Sequence, residues 1–159
     1  MNINTVNRTK RGNRYCGPAV ISAVTGCTTD DAARAIRHHS GQRAVMGVFD
    51  RHLIAAFKSH WDIEAIDVCK FDGPAKSRPT LAQWLRENKS IRTAGRVFLV
   101  SAGNHYQLIS GRRCVCSLTK DVVSVRDPSV RRRSRVDRVL ELKGKPKPTP
   151  LCISMLGRL

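Results

Sequence analysis

Residues 97–142 constrain this chain most. They hold five short β-rich runs, at 97–100, 106–109, 114–118, 122–125 and 136–142. The first four are separated by turn residues: Gly103-Asn104, then Gly111, then Lys120-Asp121. Short apolar runs at this spacing, punctuated by Gly and Asn, predict an antiparallel meander. The preceding residues follow another period. Ala19, Val20, Ala23 and Val24 recur at helical spacing and predict a helix over 16–24, with Gly26 as its stop. Thr28 or Thr29 caps a second helix that runs to about residue 37, with Asp30 and Asp31 in its positive first turn. Leu53, Ile54, Ala56 and Phe57 mark a third over 48–58, a strand follows at 63–68, and Thr80 caps a helix holding Leu81, Trp84 and Leu85. Helices first and sheet second is the α+β class, with amino-terminal helices packed on a carboxy-terminal antiparallel sheet.

At 159 residues the chain is one domain by length, and 41% apolar residues suffice for a core. Residues 1–14 read as a basic arm or extended lead-in, 15–142 as the folded domain, and 143–159 as a basic, proline-rich tail. No apolar run approaches the roughly 18 residues of a membrane-spanning helix. The opening MNINTVNRTKRGNRY lacks the apolar stretch of a secretory signal. The expectation is a cytoplasmic protein with no membrane partner, whose six cysteines are reduced.

Tyr15-Cys16-Gly17-Pro18-Ala19 puts a thiol in the first turn of a predicted helix. Unpaired N–H groups and the helix dipole favour a thiolate there and can hold the oxyanion formed when it attacks a carbonyl. Such a nucleophile needs a base and a group to orient that base. Of five histidines, His38, His39, His52 and His60 read as surface or helix-face residues. His105 opens the strand His105-Tyr106-Gln107-Leu108-Ile109, and Asp127 ends a β-run before Pro128 takes the chain out of the ladder. Each residue also has a structural reading: a buried thiol, an edge-strand imidazole, and an Asp-Pro turn. Cys114 and Cys116 fall on one face of a strand. No second pair at zinc-site spacing follows, so packing explains them better than metal.

The ordered set Cys16-Gly17-Pro18-Ala19, His105-Tyr106 followed by Gly111, and Val-x-Val-x-Asp-Pro ending on Asp127 and Pro128 resembles papain-like cysteine peptidases. Within them it is most similar to the C39-type family, over residues 13 to about 142. The resemblance implies a papain-like fold and a cysteine peptidase cleaving a peptide or isopeptide bond through a thioester. Cys16 would be the nucleophile, His105 the general base and acid, and Asp127 the orienting group. No metal or organic cofactor is implied. The family's glutamine about six residues before the cysteine, a side-chain oxyanion donor, is matched here by Lys10; Asn13 is the nearest amide.

The charge supports a second class of function. Lys plus Arg number 29 against 12 acids, for a net charge of +17. Residues 126–147 alone carry nine cations against three acids. Such a surface attracts polyanions. Arg131, Arg132, Arg133, Arg135 and Arg138 are the candidate contacts to nucleic acid or to an acidic protein partner. Aromatic residues for base stacking are scarce and no sequence-reading motif is present, so contact with nucleic acid would be non-specific. In composition the chain also resembles small phage-encoded proteins, which would place it in a host cytoplasm or a virion. The alternative to a peptidase is therefore an inactive protein of the same fold that binds through its basic face.

Overall fold

The computed structural model describes residues 1–9 and 15–146. Four α-helices are α1 (Cys16–Thr25), α2 (Thr29–Ser40), α3 (Asp50–Trp61) and α4 (Leu81–Glu87). Six strands are β1 (Glu64–Lys70), β2 (Val97–Ala102), β3 (Tyr106–Ser110), β4 (Arg113–Cys116), β5 (Val123–Ser124) and β6 (Val136–Lys143). The strands form one antiparallel sheet in the order β1-β6-β2-β3-β4-β5. The class is α+β, as expected. β2 to β5 are the predicted meander, whereas β6 crosses back to lie between β1 and β2.

Alternation along the strands builds two cores. Val97, Leu99, Leu108, Val115, Leu140 and Leu142 face α1, α2 and α3. Phe98, Val100, Ala102, Ile109, Cys114 and Val139 face Leu81, Trp84 and Leu85 of α4. The sheet is thus covered on both faces, because its strands are apolar at successive positions rather than at every second one. The expected arrangement put the helices in the amino-terminal half, but α4 occupies the opposite face from the other three.

α1 is buried nearly all round, from Gly17 to Val24. Gly17 is required by close approach. A Cβ built there would sit 2.7 Å from Val48 Cγ2, in the segment that joins α2 to α3. α2 is capped by Thr28, whose hydroxyl accepts from the Asp31 N–H at 3.1 Å. It continues to Ser40 and takes His38 and His39 into its last turn, beyond the boundary expected near residue 37. β4 stops at Cys116, where the backbone N–H turns to the Thr119 hydroxyl at 3.1 Å. The amino-terminal residues are extended but not a loose arm. Ile3 and Val6 are buried in the first core, Asn4 donates to the Ala23 carbonyl, and the Val6 N–H donates to the Lys120 carbonyl.

Candidate functional site

Cys16 is the first residue of α1 and is half-buried against the first core. It opens on a cavity of about 1200 Å³, lined also by Met46, Val48, Phe49, Asp50, Ser101, Asn104, Tyr106 and Arg138. The cavity lies on the α1–α3 side of the sheet. Its lip is apolar and exposed: Met46 is 72% and Phe49 65% accessible.

A polar network forms the wall. The Tyr106 hydroxyl donates to Asp50 Oδ1, with the Val48 carbonyl 3.0 Å away as a second acceptor. Arg138 Nη1 donates to Asp50 Oδ2 at 3.0 Å, and its Nε and Nη2 grip both Asp67 oxygens at 2.7 Å. Burial, then the Asp50 carboxylate, pushes the Tyr106 hydroxyl far above the ordinary phenol range, so it stays protonated. The Arg138 guanidinium holds the Asp67 carboxyl below its usual range.

His105 is not in this wall. β2 and β3 meet in a two-residue turn, Gly103-Asn104, in which both residues have positive φ (59° and 56°). Ser101 pairs with Tyr106, and both face the cavity. Ala102 donates its N–H to the His105 carbonyl at 3.0 Å and packs in the second core. Residues opposed across a ladder share a face, and adjacent residues take opposite ones. His105 therefore lies on the α4 side with the sheet between it and Cys16. It is buried, its Nε2 has no hydrogen-bond partner among the described residues, and burial followed by the charge of Arg131 pushes its pKa down to about 4.

Asp127 does not orient it. Its Oδ1 accepts from the N–H and hydroxyl of Ser129, which closes a turn and holds the carboxyl below its usual range. Its charge reaches Cys114 in the second core. The structure thus does not bring the expected triad together: the cavity that Cys16 lines is lined by neither His105 nor Asp127, and among the described residues no hydrogen bond joins the three. Spacing along the chain could not reveal this, because moving one residue along a strand reverses the side-chain direction. Asn13, the tentative oxyanion donor, lies outside the described residues. No family model matches this chain, and neither a curated protein nor a solved structure does.

The basic candidates divide. Arg138 belongs to the cavity wall and is spent on Asp50 and Asp67. Arg131, Arg132, Arg133 and Arg135 are exposed on the loop between β5 and β6. Val130 anchors that loop in the second core. Backbone bonds from Leu81 to Ser134 (2.8 Å) and from Ala82 to Arg132 (2.9 Å) fix it to the start of α4. Arg135 Nη1 donates to the Arg78 carbonyl, while Arg131, Arg132 and Arg133 form no ion pair among the described residues. Cys114 and Cys116 are buried, and among the described residues no three His, Cys, Asp or Glu side chains are placed to hold a metal ion.

Sequence reasoning missed the pairing of Asp50, Tyr106 and Arg138. Asp50 carries the local signature of a helix first-turn acid, and nothing near it in sequence points to a residue 88 positions away.

Proposed function

We propose that this protein is a non-enzymatic polyanion-binding protein that engages the phosphate backbone of nucleic acid through its β5–β6 loop. One observation carries the reading. Among the described residues, Arg131, Arg132 and Arg133 stand exposed and without ion pairs on a loop whose backbone is already held. The acids of neighbouring β6 do not neutralise them: Asp137 pairs with Arg78, and Glu141 with Arg96 and Lys143. A pre-ordered row of guanidinium groups loses little conformational freedom on meeting phosphates, and each contact releases counterions.

The test is a salt titration with a short fluorescent duplex. Affinity should fall steeply with salt and vary little with base sequence. Changing Arg131, Arg132 and Arg133 together to Gln should reduce the log–log slope by about 3. Cys16→Ala should leave that slope unchanged. An unaltered slope in the triple variant would overturn the reading.

A second reading, a hydrolase with Cys16 as nucleophile, is favoured by the thiol's place at a helix start opening on the large cavity. Its base would have to be something other than His105, and the lining carboxylates Asp50 and Asp137 are both ion-paired. Iodoacetamide labelling near pH 6 decides it. Preferential reaction at Cys16 supports an activated thiolate; slow, even labelling of several cysteines removes the hydrolase.

A further inference from the structure

The helical side of the molecule holds a group that neither reading uses. His38 and His39 end α2 and His60 ends α3, and the three rings meet. Their centroids lie 5.1, 5.6 and 5.7 Å apart, and each pair is close to perpendicular, at 85°, 80° and 87°. His60 also packs on Trp61 at 5.6 Å. His39 Nε2 is 2.7 Å from the Ser59 hydroxyl, whereas His60 Nε2 is buried without a partner among the described residues.

Neutral imidazoles tolerate edge-to-face packing; three imidazolium ions at this spacing repel one another. The surrounding charge does not relieve them. Arg37 shares the last turn of α2, and Lys58 precedes His60 on α3 with its ammonium held by Asp62 and Glu64. His52 on α3 acts on His39. Burial first, and then the neighbouring histidines, holds both His39 and His60 below the ordinary imidazole value.

The cluster sits at a mechanically significant point. Gly41 caps α2 directly after it, and the connection to α3 follows. That connection supplies Gln42, Ala44, Met46, Gly47, Val48 and Phe49 to the cavity wall, with Val48 seated on Gly17 of α1.

We propose that His38, His39 and His60 form an acid-sensitive latch between α2 and α3, whose release loosens residues 41–49 and opens the Cys16 cavity. The closed form binds fewer protons than the opened one below the ordinary imidazole pKa. Falling pH therefore favours opening. The latch acts on one wall of the cavity and leaves the sheet intact.

Hydrogen exchange tests it. Protection factors of the hydrogen-bonded amides that flank the connection, those of Gly41, His52 and Leu53, are compared at about pH 7.5 and about pH 5.5. In the wild-type protein they should fall by about tenfold, while those of β2 and β3 fall less. In His60→Gln the acid-dependent fall at these three amides should shrink to less than about twofold. His38→Gln, at an exposed position, covers the case in which the first variant misfolds. It should move the transition to lower pH. Three results would overturn the latch: constant protection at Gly41, His52 and Leu53, a fall merely in step with the sheet amides, or variants that follow the wild-type profile.

Discussion

Acidification tests the placement of His105 directly. The imidazole is buried, with Nε2 unpaired among the described residues and the Arg131 charge nearby. Its pKa falls from 6.5 to about 4. Between those values the unfolded chain binds a proton that the folded one refuses, so stability is fully present above about pH 6.5 and is lost as the pH falls. A tenfold difference in proton affinity between the folded and unfolded chains is worth about 1.4 kcal/mol. The loss attributable to this residue is then about 2 kcal/mol at pH 5 and about 3 kcal/mol at pH 4. Urea denaturation of the wild type and of His105→Gln, at about pH 7.5 and about pH 5, measures it as a difference. His39 and His60 titrate with the same sign but are common to both proteins and cancel. The wild type should lose about 2 kcal/mol more than the variant over that range. Parallel profiles would mean that His105 is not held neutral in a core. A variant that gained acid sensitivity would refute the sign of the argument.

Two further substitutions probe the cavity wall. Gly17→Ala places a methyl group 2.7 Å from Val48 Cγ2, so it should cost about 1–3 kcal/mol by thermal or urea unfolding unless Val48 shifts, and a cost near zero would show that residues 41–49 give way freely. Arg138→Met leaves Asp50 and Asp67 without their shared cation; because Asp67 is largely exposed the cost should be about 2 kcal/mol at neutral pH, shrinking below about pH 4 as Asp67 protonates, and a cost that did not shrink would point to lost packing instead.

Much of the local structure was legible in the chain. The helical recurrence of Ala19, Val20, Ala23 and Val24, the caps at Thr28 and Thr80, and the Gly103-Asn104 turn each depend on residues a few positions apart. The candidate site was less so. Cys16 does start a helix, and His105 does precede a strand after a turn. Whether they meet depends on which face of the sheet each side chain takes, and His105-Tyr106 offers a polar aromatic ring to both faces. His105 is buried away from the cavity lining, whereas Tyr106 lines the cavity. The histidine cluster was equally hidden, because α2 runs one turn beyond its expected end and brings His38 and His39 beside His60.

Short-range patterns in this chain determined its elements, its α+β class and its strongly positive charge. They could do so because hydrogen bonding within a helix, a cap or a hairpin turn is satisfied by near neighbours. The insertion of β6 between β1 and β2, the face assigned to each strand residue, and the joining of Asp50 to Tyr106 and Arg138 were decided only by the folded chain. These depend on packing between distant segments, where a single step along a strand carries a side chain from one core to the other.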